Sequence, residues 1–215
     1  MSPPVYADDF QEGIVSLKQK DFKTALEKLL PLAKKGHAEA QYVIGFIYYL
    51  GHETTINYEK AFKWYMKSAE QGNKGAQTSL GVMYYHGDGV TKSFSEALKW
   101  YKLSAAQGDL RGQIKLGMMY KSGEGINKDP KEAFKWLNLA AEQGDSDAQI
   151  VLGDMYMKGE GVTKNYIQAL KWFYIAGLYK NERALPLRDI LLKELRPKQV
   201  SEAQILIKEW IDRHR

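Results

Sequence analysis

Small and aromatic residues return along this chain every 36 positions. Gly45, Gly81, Gly117 and Gly153 stand in one such column, and Tyr48, Tyr84, Tyr120 and Tyr156 in another. Gly51, Gly87, Gly123 and Gly159 make a third, Ala61, Ala97, Ala133 and Ala169 a fourth, and Trp64, Trp100, Trp136 and Trp172 a fifth. The columns hold register through residues 37–72, 73–108, 109–144 and 145–180 without a gap, which marks tandem copies of one unit.

The polar positions set helix limits inside each unit. Asn73, Asp109 and Asp145 are side chains that accept the free amide protons of a first helical turn, so each opens a first helix; His37 holds that slot as the weakest cap. Asn57, Ser93, Asp129 and Asn165 open the second helices. Glu96, Glu132 and Gln168 follow three residues later and predict reciprocal capping boxes, with Lys60 breaking the pattern. Pro130 falls at a first helical position, where proline is tolerated. Gly36, Gly72, Gly108 and Gly144 stop the second helices. Each unit therefore reads as a helical hairpin. A glycine inside a helix costs about 1 kcal/mol relative to alanine, so the Gly45 column predicts close approach of two backbones. The tryptophans are expected to fill the gap between one hairpin and the next, and truncating Trp136 to cost roughly 3–5 kcal/mol.

Ala76-Gln77-Thr78-Ser79-Leu80-Gly81, Tyr84, Gly87-Asp88-Gly89-Val90, Glu96-Ala97, Trp100-Tyr101 and Gln107-Gly108 together resemble the Sel1-like repeat, a relative of the tetratricopeptide repeat. The resemblance covers residues 37–180. It implies an all-α, right-handed α/α solenoid of tandem 36-residue helix-turn-helix units. The first unit departs from the pattern, because Gly51-His52-Glu53 lacks the second loop glycine. Residues 7–36 read as a shorter, tetratricopeptide-like N-terminal hairpin, since Gly13 to Ala25 spans fewer positions than Gly45 to Ala61. Residues 181–215 read as a C-terminal capping pair broken at Pro197, with Ala203, Leu206 and Trp210 on one face to cover the last repeat. Terminal units of a solenoid are expected to be atypical because one face meets water. No linker interrupts the chain, so residues 1–215 are expected to form a single solenoid domain.

Composition narrows the chemistry. The chain has no cysteine, which excludes disulfides, thiolate metal sites and cysteine nucleophiles. No apolar run approaches the length of a membrane span. The net charge of +5 is mild for 215 residues. Val5-Tyr6-Ala7 ahead of Asp8-Asp9 places small residues as signal peptidase requires. A periplasmic or secreted location is expected if the residues before Asp8 are a signal remnant, and a cytoplasmic one otherwise.

The loops Gly87-Asp88-Gly89, Gly123-Glu124-Gly125 and Gly159-Glu160-Gly161 lie between helices, without the strand or the Gly-Lys-Ser/Thr that a phosphate cradle needs. His37, His52, His86 and His214 lack metal-site spacing, and no carboxylate pair stands out for acid–base work. No catalytic residue, metal or cofactor is expected. The row Lys63, Lys99, Lys135 and Lys171 is the best argument for the alternative function, nucleic-acid binding, but each lysine precedes a tryptophan on a second helix, the convex side in tetratricopeptide-like stacking.

The resemblance implies a protein–protein adaptor whose first helices line a concave groove that binds a protein or an extended peptide, with a monomer favoured. On those helices the positions that avoid the packing columns share one face. They point to Tyr42, Phe46, Tyr49, Leu50, Val82, Tyr85, His86 and Met118 as partner-binding residues. The face is expected to be aromatic towards the N-terminal half and charged and mixed towards the C-terminal half.

Overall fold

The computed structural model describes residues 5–51, 55–179 and 181–214, with side chains from residue 9 onward. The signal-remnant expectation rests on residues 1–8 and the loop of the first unit on His52 and Glu53, so both lie outside the described side chains. Among the described residues every regular element is a helix: α1 (Val5–Lys18), α2 (Phe22–Lys34), α3 (Ala38–Leu50), α4 (Tyr58–Glu70), α5 (Lys74–His86), α6 (Phe94–Ala106), α7 (Leu110–Ser122), α8 (Pro130–Glu142), α9 (Ser146–Lys158), α10 (Tyr166–Leu178), α11 (Ala184–Glu194) and α12 (Pro197–Arg213). They form two compact units, Met1–Gly112 and Gln113–Arg215.

The helices begin where the capping residues stand. Asn73 Oδ1 accepts from the Ala76 amide at 2.8 Å, Asp145 Oδ1 from Ala148 at 2.8 Å, and Asn57 Oδ1 from Lys60 at 2.9 Å. His37 caps as well, through Nδ1 and the Ala40 amide at 3.2 Å. The reciprocal arm of the expected capping boxes takes another form. The backbone N–H groups of Asn57, Ser93, Asp129 and Asn165 donate to the carbonyls of Tyr48, Tyr84, Tyr120 and Tyr156, at 2.8–3.0 Å. The turn within each hairpin thus already satisfies the cap amide, and the carboxylates are released. Glu132 accepts the Trp136 indole N–H at 3.0 Å, and Glu96 faces Lys99 at 3.6 Å.

The mid-helix glycines make room for a side chain more than for a backbone. A Cβ on Gly45 would stand 2.6 Å from the Tyr65 ring, one on Gly153 2.6 Å from Phe173, and one on Gly117 2.7 Å from Leu137. These neighbours are the residues just after the tryptophans, and all three are buried. The tryptophans are buried unevenly. Trp100 (8% exposed) shares a core cluster with Tyr65 and Ala69 of the preceding hairpin and Ala76 of its own, and Trp64 rests partly exposed against the cluster built by α2 and α3. Trp172 is 1% exposed and meets Trp210 of α12 edge-on at 6.3 Å. Along α12 the buried residues are Ala203, Ile207 and Trp210, with Leu206 half-buried.

A glutamine column that the packing pattern hides ties the hairpins together. Gln41 Nε2 donates to the Ala33 carbonyl of the preceding hairpin at 2.9 Å, while its Oε1 accepts from Gln71 at 2.7 Å. Gln77 repeats both bonds, with Ala69 and Gln107. Gln149 keeps the first, to Ala141 at 3.1 Å, but its fully buried Oε1 has no partner. Tyr179 stands where Gln71 and Gln107 would place their donor, and its ring packs on Trp210 instead.

Two outcomes test this packing. Gly45→Ala gains up to about 1 kcal/mol of helix propensity, yet the buried Tyr65 ring has nowhere to retreat and overpacking costs about 1–3 kcal/mol. Chemical denaturation should show a less stable protein; a more stable one would mean that the ring yields. Trp172→Ala should cost about 3–5 kcal/mol and the half-buried Trp136→Ala clearly less, so equal losses would contradict the burial pattern.

Candidate functional site

In the N-terminal unit, α3 and α5 present Tyr42, Phe46, Tyr49 and Leu50 beside Val82, Tyr85 and His86. The space left at Gly45 seats the Tyr65 ring, and two tyrosines stand over it. Tyr42 is 5.8 Å and Tyr49 6.5 Å from Tyr65, ring centre to ring centre, and Tyr49 is 5.2 Å from Tyr58. Tyr42, Phe46 and Tyr49 are half-buried against this cluster, whereas Leu50 is 39% exposed and His86 is exposed. Tyr85 lies edge-on to Phe94 at 5.3 Å and to His86 at 5.0 Å.

The loop after α5 supplies a carboxylate to this face. Gly87 and Gly89 take φ of 85° and 68°, in the left-handed region that favours glycine, and a Cβ on Gly89 would stand 2.7 Å from the Tyr58 backbone. The loop is therefore pressed onto the start of α4, and Asp88 Oδ2 accepts the Tyr49 hydroxyl at 2.9 Å. Burial, reinforced by that bond, pushes the Tyr49 phenol up to about 12. Burial also holds the Tyr65 phenol above its ordinary value, with the Tyr42 phenol acting in the same sense. At the other edge Arg111 Nη2 donates to the Tyr42 hydroxyl at 3.0 Å. Gly75 opens that path, since a Cβ there would meet the Tyr42 ring at 3.1 Å.

The C-terminal unit carries the same positions with other chemistry. Lys121 and Glu160, two repeats on from Tyr49 and Asp88, form an ion pair at 3.8 Å. Lys158 pairs with Asp154 at 2.8 Å, Ile150 is buried, and Met118 is 43% exposed. Asp88 and Glu160, the acids in the middle of two of the Gly-x-Gly loops, thus each serve the first helix of the preceding repeat. Asp88, Arg111, Tyr58 and Tyr65 are the site residues that sequence reasoning missed. The recurring loop acid was the available signal for Asp88; nothing in the pattern marks Arg111.

The lysine row does not offer a track for phosphates. Lys99 and Lys135 face Glu96 and Glu132 on their own helices. Lys171 is 7% exposed, 3.7 Å from Glu142 and over the Trp172 ring, and burial lowers its proton affinity. Among the described residues no group of histidine, aspartate and glutamate side chains has metal-site geometry, and no helix is long and apolar enough to cross a membrane. The arrangement is suited to contact and hydrogen bonding.

The Sel1 repeat family matches residues 38–73, 75–109, 110–145 and 146–178, more than half of the chain. The chain belongs to the Sel1 repeat family. Such proteins are generally protein-interaction scaffolds and typically non-enzymatic adaptors. A protective antigen present in uropathogenic Escherichia coli strains, displaying an SLR fold, is similar at 34% identity and a TM-score of 0.85; the match covers 96% of this chain and 45% of the antigen. This chain thus spans less than half of that relative. A Sel1 repeat protein from Oxalobacter formigenes is similar at 30% identity and a TM-score of 0.78, over 91% of this chain and 84% of that one. A putative Sel1 repeat protein from Klebsiella pneumoniae, 18% identical with a TM-score of 0.57 over 86% of this chain and 92% of that one, shares the fold. No curated protein matches the sequence significantly. The all-α solenoid of tandem repeats read from the sequence is the fold of this family.

The raised phenol gives a pH dependence with a defined sign. A folded state that holds the Tyr49 proton more tightly than the unfolded chain contributes stability that is complete below the ordinary phenol value of about 10. That contribution is lost as the pH rises from there to about 12. Melting curves across that range should therefore fall less steeply for Tyr49→Phe than for the parent protein. Identical slopes would mean that the Tyr49 phenol is neither buried nor bonded to Asp88 in solution.

Proposed function

We propose that this Sel1 repeat chain is a non-enzymatic scaffold that binds an extended polypeptide on the face built by α3 and α5. The supporting observation is the state of Tyr49. The repeat needs its glycine, tyrosine and tryptophan columns for packing, but not a second tyrosine held at the surface by a loop carboxylate. Leu50 and His86 beside it are exposed, and Val82 and Tyr85 are half-buried. Tyrosine suits such a surface because its ring gives contact area while its hydroxyl tolerates water.

Tyr49 and Tyr85 occupy equivalent positions in adjacent repeats. Neighbouring helices pack about 10 Å apart, and an extended chain rises about 3.3 Å per residue, so two anchors at this spacing suit side chains about three residues apart on a ligand. Met118 belongs to the C-terminal unit, where its equivalent one repeat on is Asp154, paired with Lys158.

The test is a Tyr49→Ala, Tyr85→Ala double variant, shown by circular dichroism and melting to be folded. Partners are first identified by affinity capture from the native source, and binding is then measured with each purified partner. Each truncated anchor should cost about 2 kcal/mol or more. Unchanged affinity would remove this face from consideration.

A further inference from the structure

The charges beside the tyrosines are arranged unequally. The acids of the N-terminal unit's first-helix side are taken up by neutral donors. Asp88 accepts the Tyr49 hydroxyl, and Glu39 accepts the Asn73 amide at 2.6 Å. Asp109 accepts the Thr78 hydroxyl at 2.8 Å and the Gly112 amide at 2.9 Å through one oxygen. The cations are held by neutral groups in turn. Arg111 donates to the Tyr42 hydroxyl, and Lys92 lies over the Phe94 ring at 4.5 Å and near the Tyr85 ring at 5.9 Å. Neither cation forms an ion pair among the described residues.

Arg111 is the more specific of the two. A guanidinium carries five N–H donors in a planar fork, and a single phenolic oxygen occupies only a small part of that capacity. The side chain is exposed, yet Tyr42 fixes one of its terminal nitrogens, so less freedom is lost when a second acceptor arrives. Its charge is felt by the Tyr65 phenol at the centre of the aromatic cluster. Arg111 therefore stands at the edge of the tyrosine face, with donors left for a planar acceptor. Carboxylates match that fork through paired hydrogen bonds, and a neutral amide gains much less from it.

Resting on the reading of this face as a peptide site, we propose that its partner is an acidic extended segment. A carboxylate of that segment engages Arg111, while apolar or aromatic side chains contact Tyr49 and Tyr85. Lys92 adds longer-range attraction for the same sign of charge. Arg111 acts as the specificity-determining residue and the tyrosines supply most of the contact area.

The experiment uses three immobilised pools of ten-residue peptides, alike except that one central position is fixed as Glu, Gln or Lys. Full-length protein is passed over them at physiological salt, with Arg111→Gln, Arg111→Lys and the Tyr49→Ala, Tyr85→Ala variant run in parallel. The Glu pool should retain the parent protein about fivefold better than the Gln pool, the range of a partly exposed ion pair. Arg111→Gln should abolish that preference while keeping the weaker Gln-pool binding, and Arg111→Lys should restore part of it. Equal retention on Glu and Gln pools, or a preference for Lys, would overturn the acidic partner. If the double tyrosine variant still lost binding in that case, the peptide face itself would stand. A Glu preference that survives Arg111→Gln would overturn the role of Arg111. Retention on none of the pools would count against the peptide face and the acidic partner together.

Discussion

The missing side chains at Gly45, Gly117 and Gly153 let the second helix of each hairpin lay Tyr65, Leu137 or Phe173 flat against the first. A methyl group at any of these positions would sit inside the neighbouring side chain. The helix forgoes about 1 kcal/mol of propensity at each glycine and gains a large buried residue in return. Much else follows from that close approach. It brings the second-helix cap amide to the Tyr48-type carbonyl and presents the tryptophan one residue earlier towards the adjoining hairpin. It also fixes where the rest of the first helix faces.

Polar groups then set how one hairpin follows another. The buried glutamines satisfy both ends of their amides, one within the hairpin and one on the carbonyl of the hairpin before. Buried amides tolerate no free polar atom cheaply, so this ladder favours one register between neighbours. It stops where Tyr179 replaces the expected glutamine donor, and the orphaned Gln149 oxygen marks that point. The same exchange gives the chain the aromatic contact between Tyr179 and Trp210 that begins the C-terminal cap.

The candidate binding face grows from this frame without altering it. Once Tyr65 is seated, Tyr42 and Tyr49 can rest on its ring, and the loop glycines bring Asp88 to the hydroxyl of Tyr49. Two repeats later the same geometry holds a lysine and a glutamate. In these two repeats a first-helix position lies beneath a loop acid, and the side chain there differs between them. Side-chain variation within a fixed backbone is how a solenoid distributes contact chemistry along its length.

By itself the sequence determined the helices, their caps, their hairpin pairing and the family, because glycine, the capping residues and the tryptophans act through their nearest turns. It also located the aromatic face, since helical spacing alone puts Tyr42, Phe46, Tyr49 and Leu50 on one side. Tertiary structure decided which contact each residue makes. The glycines accommodate the residue after the tryptophan; the cap glutamates are freed for Trp136 or Lys99; and Trp64 and Trp136 remain partly exposed while Trp172 is covered. Asp88 and Arg111 join the site from 39 and 69 residues away in sequence, the separations of their bonds to Tyr49 and Tyr42. Helical periodicity carries information over a few turns. A hydrogen bond between repeats depends on how the hairpins stack, and that exists only in three dimensions.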